Sequence, residues 1–162
     1  MIRITVFTPL YNRAPLLEGL YESLIKQNYQ SFEWIIVDDG STDNAEQIVN
    51  TFISDSIHTF PISYIRKENG GKHTAINRGV EEAKGELFLI LDSDDTLPSD
   101  SLATISQYYE QCKGYKDCAG VCGLMAHHDG QLIGSGFPKD PMYESALQFR
   151  YAEKGNVTGD LL

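Results

Sequence analysis

The chain lacks what a membrane span or a secreted scaffold would need. No apolar stretch reaches the ~18 residues required to cross a bilayer, and the N-terminus carries no signal-peptide apolar region. The expectation is a cytoplasmic protein with no transmembrane segment, a peripheral place at the inner face of the membrane being compatible with it. Cysteine is scarce: Cys112, Cys118 and Cys122 form no C-x-x-C and no paired framework. They read as small buried or half-buried thiols in a reducing compartment. Basic residues are also short, 13 Lys and Arg against 23 Asp and Glu, for a formal net charge of −10. A nucleic-acid backbone rewards clustered cations, so that class of partner is excluded. A small phosphorylated ligand is not, because a divalent metal can bridge carboxylates to phosphates. Asn156-Val157-Thr158 has the form of a glycosylation acceptor, which means little without a secretory signal. Internal repeats, linkers and low-complexity segments are absent too, so residues 1–162 read as one domain, long enough to bury a core.

What is present is a regular alternation of strand and helix signals. Ile2, Ile4 and Val6 alternate with polar residues up to Thr8-Pro9, which ends a first strand. Pro15 suits a first helical turn, and Leu17, Leu20 and Leu24 follow at helical spacing. A second strand over Phe32–Val37 runs into Asp38-Asp39-Gly40. Asp43 with Glu46 resembles a capping pair for a helix with Ile48, Val49, Phe52 and Ile53 on one face. A third strand at Ile62–Ile65 leads to the loop Asn69-Gly70-Gly71-Lys72. The next helix carries Ala75, Ile76, Gly79, Val80 and Ala83, with Gly85 as its C′ residue. Leu87–Leu91 reads as a strand buried on both faces, and Leu102, Ile105, Tyr109 and Cys112 mark a fourth helix. Segments 119–126 and 131–134 flank Asp129-Gly130, a hairpin signal. The pattern predicts βαβ units and a mostly parallel, Rossmann-like sheet flanked by helices. Ligands of such sheets bind outside the carboxyl ends of the strands, where Thr8-Pro9, Asp38-Asp39-Gly40 and Asp92–Asp95 all fall.

The run Asp92-Ser93-Asp94-Asp95 carries three carboxylates, which repel one another unless a cation sits among them. On a continuing strand Asp92 and Asp94 would face one way and Ser93 the other. Hard oxygen ligands suit Mg²⁺ or Mn²⁺, which take one or two carboxylates and fill the remainder with water and phosphate oxygens. The bland alternative is a solvated turn, with Asp95 or Ser99 capping the next helix. For Asp38–Asp43 the bland reading, a glycine turn with Asp43 as N-cap, leaves two adjacent carboxylates unexplained. Asp39 could accept a hydrogen bond from the N–H of a pyrimidine base. Asn69–His73 could offer backbone N–H groups and a cation to an anion, or be a plain loop before a helix. His127-His128 could be a metal pair, but adjacent strand residues point to opposite faces, so a place beside a hairpin turn explains them better. Packing accounts for Tyr108, Tyr109 and Tyr115.

Four runs carry a resemblance. They are Thr5-Val6-Phe7-Thr8-Pro9-Leu10-Tyr11-Asn12-Arg13, Trp34–Asp43, Asn77-Arg78-Gly79 with Ala83–Glu86, and Leu91–Asp95. Together, over about residues 3–100, they are similar to a family 2 glycosyltransferase of the GT-A fold. The resemblance implies transfer of a sugar, of hexosyltransferase type and usually with inversion, from a nucleotide diphosphate donor. That donor is most often a UDP-sugar, and the acceptor hydroxyl belongs to a glycan or lipid-linked molecule in polysaccharide or glycoconjugate synthesis. It implies that Thr8, Pro9 and Tyr11 line the nucleotide pocket, Asp39 holds the base, Lys72 lies near the nucleotide and Asp92 contacts the ribose. Asp94 or Asp95 would hold Mn²⁺ or Mg²⁺ on the diphosphate, and the GT-A fold would carry a small hairpin after the D-x-D.

Inverting transfer also needs a base within reach of the acceptor hydroxyl. Asp129, Asp140, Glu144, Glu153 and Asp160 are the acidic candidates downstream, and none stands out. Asp129 reads as a turn residue, and Asp140 precedes a proline. The expectation is that residues 1–98 form the nucleotide-binding half, residues 99–162 begin an acceptor half cut short, and the base lies beyond residue 162. A nucleotide-sugar-binding module without turnover is an alternative. A nucleotidyltransferase would want a glycine-rich phosphate loop after the first strand, which Pro9–Arg13 does not provide. A phosphatase or response regulator would place acidic residues there, and none is present.

Overall fold

Two central strands, β1 (Ile4–Leu10) and β2 (Phe32–Asp38), bury nearly every side chain. The computed structural model describes residues 3–127 and 129–134. A 3-10 turn over Ala14–Leu16 follows β1, with Pro15 in its first positions, and leads into α1 (Leu17–Ile25). Then come α2 (Ala45–Ser54), β3 (Ile62–Arg66), α3 (Lys72–Glu82), β4 (Leu87–Ile90) and α4 (Ser101–Cys112). The strands pair in parallel in the order β3-β2-β1-β4. The chain divides into two units, Met1–Gln111 and Cys112–Leu162, so α4 lies almost wholly in the first.

β1 alternates apolar and polar residues, yet Thr5 and Thr8 are as buried as their neighbours and the strand runs on to Leu10. Partners permit this. Thr5 Oγ1 donates to Glu33 Oε1 at 2.7 Å and accepts from Gly85 N at 3.0 Å. Glu33 Oε1 also accepts from Lys84 N at 2.7 Å. Trp34 Nε1 donates to Thr8 Oγ1 at 2.9 Å. Each of these buried polar groups thus has its hydrogen bond. On one face of the sheet Tyr21 of α1 stacks on Phe52 of α2 at 4.2 Å, with Trp34 of β2 6.2 Å from each. On the other, Ala75 of α3 packs with Phe7, Ile35 and Val37.

β4 differs from its predicted form. It lies at the edge of the described sheet, and its two faces differ: Leu87 and Leu89 on one are buried, while Phe88 and Ile90 on the other are only half covered. The helix faces are rotated slightly from the predicted stripes. α2 buries Ala45, Val49 and Phe52 and leaves Ile53 41% exposed. α3 buries Ala75 and Gly79 but exposes Val80. Asn44, not Asp43, occupies the N-cap position of α2, although Asp43 Oδ1 still accepts from Ala45 N at 3.2 Å. Nor is Gly85 a C′ residue, because α3 ends at Glu82. A Cβ at Gly85 would stand 2.5 Å from Thr5 N, so close approach to β1 demands glycine there.

In the second unit the hairpin shows an antiparallel bridge, Ala126 opposite Leu132, with Ile133 N donating to Met125 O. Cys112, Cys118 and Cys122 are free thiols. Burial, then the neighbouring Cys118, pushes the Cys112 thiol up to about 11. No described helix is long and apolar enough to cross a membrane.

Candidate functional site at the carboxyl edge of the sheet

Parallel register sets the ends of the strands side by side. Leu10 is level with Asp38, Asp38 with Arg66, and Leu91 N still bonds to Phe7 O at 2.8 Å. The strand order reverses between β1 and β4, and ligands of doubly wound sheets lie in the crevice at such a point. The loops after β1 and β4 flank it.

The loop after β1 is held to the loop after β2. Asn12 takes a left-handed conformation, φ 51°, which asparagine tolerates better than most residues. Its N–H donates to Ser41 Oγ at 2.9 Å, and its Oδ1 accepts from Thr42 N at 2.7 Å. Asp43 Oδ2 accepts from Ala14 N at 2.9 Å. These bonds leave Tyr11 half exposed beside Pro9. Thr8 sits at the same edge with its hydroxyl engaged by Trp34.

The two adjacent carboxylates after β2 do different things. Asp38 accepts from Tyr64 Oη at 2.5 Å and from Ser41 N at 2.8 Å, which fixes the turn. Burial, and then that bond to Asp38, pushes the Tyr64 phenol above its ordinary range. Asp39, 4% exposed, accepts from Lys67 Nζ at 2.5 Å, Gly70 N at 3.0 Å and Gly71 N at 2.6 Å. Burial alone would raise its pKa; the bonds from Lys67, Gly70 and Gly71 outweigh it and hold the carboxyl below the usual carboxylate range. Gly71, φ 91°, is the N-cap position of α3, so Asp39 also faces the positive end of that helix. Within the Asn69–His73 loop that looked ready for an anion, the N–H groups of Gly70 and Gly71 therefore already hold one, supplied by the protein.

The aspartate cluster departs from the continuing strand. β4 stops at Ile90, and Asp95 N donates to Asp92 O at 3.0 Å, closing a turn with Ser93 buried. Lys72 Nζ, at the start of α3, meets Asp92 at 2.7 Å. Arg13 Nη1 meets Asp94 Oδ2 at 2.8 Å and so spans the crevice from the β1 side to the β4 side. Among the described residues no three acidic, histidine or cysteine side chains converge as a ready-made metal cage. Asp94 and Asp95 offer hard carboxylate oxygens, the donor type a divalent cation takes, and such a cation needs few protein ligands when phosphates complete its shell.

The family model for Glycosyl transferase family 2 matches residues 5–151. The chain belongs to that family. It is 36% identical over 127 residues to the glycosyltransferase GlyG of Streptococcus pneumoniae, a match that takes in 78% of this chain and 40% of that one. Among solved structures it is similar to S. aureus TarS 1–349 in complex with UDP-GlcNAc, at 29% identity and a TM-score of 0.61. That match covers 68% of this chain and 32% of TarS 1–349. The mannosyltransferase PcManGT of Pyrobaculum calidifontis, in complex with GDP-Man and Mn²⁺, matches at 31% identity and a TM-score of 0.62, over 66% and 32% of the two chains. The fold is the GT-A fold, and the chain spans less than half the length of these relatives.

Among the residues expected at the family's site, Lys72 and Asp92 are in direct contact, and Asp39 and Asp94 are each paired with a cation. Asp129, the described candidate base, accepts from Gln131 N at 3.0 Å as a turn residue does. Asp140, Glu144, Glu153, Asp160, His128 and Asn156–Thr158 lie outside the described residues. Sequence reasoning missed Arg13, Asn12, Ser41 and Lys67. Arg13 and Asn12 close the first of the four family-like runs and Ser41 lies in the second, whereas Lys67 belongs to none of them.

Proposed function

We propose that this chain is the donor-binding part of a metal-dependent, inverting glycosyltransferase, with a UDP-sugar as donor and a hydroxyl of a glycan or lipid-linked molecule as acceptor. The reading is supported above all by one arrangement: Asp39, Lys72, Asp92, Arg13 and Asp94 gathered around the mouth of one crevice at the strand-order reversal. In this reading Asp39 takes the base, Pro9 and Tyr11 flank it, and Asp92 takes a ribose hydroxyl. Asp94 and Asp95 would hold Mn²⁺ or Mg²⁺, which neutralises charge on the departing diphosphate when bound. The Lys72–Asp92 and Arg13–Asp94 pairs are about half exposed. Pairs of that kind contribute about 0–1 kcal/mol each and so yield readily to a stronger ligand. Lys72 and Arg13, once released, are placed to face the phosphates.

Thermal unfolding with UDP and Mn²⁺ tests this. At ligand about 100 times its Kd, stabilisation of about 2.7 kcal/mol is expected, a Tm rise of about 5–10 °C. Asp94→Asn and Asp95→Asn should fold normally and lose the metal-dependent part of that rise. An unchanged rise in both variants would refute the metal assignment. Absence of any response to nucleotides would refute the donor site.

A further inference from the structure

Gln27 has no place in the roles assigned so far, yet it is buried and its carboxamide is bonded at both ends. It stands just past the end of α1. Its Nε2 carries two N–H donors. One meets Ser23 O at 3.1 Å, among the last four carbonyls of α1, which a helix leaves to outside donors. The other meets Pro98 O at 2.7 Å, with Leu97 O at 3.4 Å. Oε1 accepts from Leu102 N at 3.1 Å, in the first turn of α4, as the side chain of an N-cap residue would. Beside it, Asn28 N donates to Ser99 O at 2.9 Å. The end of α1 thus grips residues 97–102 at several points.

That stretch follows the carboxylate run directly, with Thr96 alone between Asp95 and Leu97. Pro98 has a fixed φ, and its ring restricts Leu97 to extended backbone, so the link is stiff. On its other side the run is tied at Leu91, whose N–H meets Phe7 O at 2.8 Å. Asp94 is exposed and Asp95 half-buried, so packing fixes neither and the backbone must. We propose that Gln27 is a positioning residue for the metal carboxylates: by holding the exit of their turn to α1, it sets where Asp94 and Asp95 present their oxygens. The inference rests on the metal-dependent donor reading above. A small divalent cation such as Mg²⁺ bonds oxygen at about 2.0–2.1 Å in near-octahedral geometry, so a ligand displaced by about 1 Å no longer serves it. Groups that hold ligands in place are worth about 10–100-fold in metal affinity where they have been removed.

Calorimetric titration of the 162-residue chain with UDP, once in Mn²⁺ and once in EDTA, tests it. The quantity read is the factor by which Mn²⁺ tightens UDP binding. Gln27→Met keeps the shape of the side chain and removes its hydrogen bonds. It should lower that factor about tenfold while changing UDP affinity in EDTA by less than about twofold, since the base and ribose contacts share no partner with Gln27. A purely structural glutamine predicts otherwise: a lower Tm with the Mn²⁺ factor intact. That result would overturn the proposal, as would equal losses in Mn²⁺ and EDTA. Should Gln27→Met fail to fold, Thr96→Gly carries the test. It leaves every bond of Gln27 in place and loosens the one joint between that anchor and the carboxylates, so the Mn²⁺ factor should fall about threefold. An unchanged factor in Thr96→Gly would overturn the proposal too. A wild type that binds UDP equally with and without Mn²⁺ would refute the metal assignment instead, and one that binds no UDP would refute the donor site, both distinct from a failure of Gln27.

Discussion

Asp39 concentrates the chemistry of the site in one side chain. Three donors hold its carboxylate below the ordinary range, so the stability it contributes is complete above the unfolded-state pKa of about 3.9 and fades as pH falls through the folded value. Asp39→Asn should therefore lower stability by about 2–3 kcal/mol at neutral pH, since it leaves Lys67 without its counter-charge and turns an amide donor toward Gly70 or Gly71. Urea unfolding of both proteins should show that gap narrowing below about pH 4. A gap that stays constant down to about pH 3 would contradict the assignment. Asp39 and Asp92 were legible because paired acids after an apolar run are unusual. Lys67, Asn12 and Glu33 were not. Their partners stand about 28–30 positions away in sequence, and only strand pairing brings them together.

At the level of elements, the sequence showed which segments are helices and strands but not how tightly they meet. α3 packs so closely on β1 that a Cβ at Gly79 would stand 2.3 Å from the ring of Phe7, which itself stacks on Phe88 at 5.1 Å. Two effects oppose each other in Gly79→Ala. Helix propensity favours alanine by about 1 kcal/mol. Overpacking against a ring that cannot swing aside costs about 1–3 kcal/mol or more, so the variant should be less stable by roughly 1–2 kcal/mol. At Gly19 in α1 a Cβ would meet nothing within 4 Å, so Gly19→Ala should stabilise by roughly 0.5–1 kcal/mol. Urea midpoints of the two variants check both signs. A stabilised Gly79→Ala would mean that α3 and β1 lie further apart than described. The half-exposed β4 was illegible for a related reason: an apolar run does not say whether both faces of its strand are fully covered.

For the whole molecule, the alternation of elements was enough to foresee a parallel sheet. The order β3-β2-β1-β4, which locates the crevice between β1 and β4, follows from pairing that no local pattern encodes. That order brings Arg13 to Asp94 and Lys72 to Asp92, joining motifs that are far apart in the chain. The decisive measurement is a crystal structure grown with Mn²⁺ and UDP, using anomalous scattering to locate the metal. The expected result is manganese within bonding distance of Asp94 or Asp95, the diphosphate beside it, and the uracil edge on Asp39. Manganese and nucleotide bound elsewhere, with Arg13 and Lys72 still paired to Asp94 and Asp92, would contradict the donor site described above.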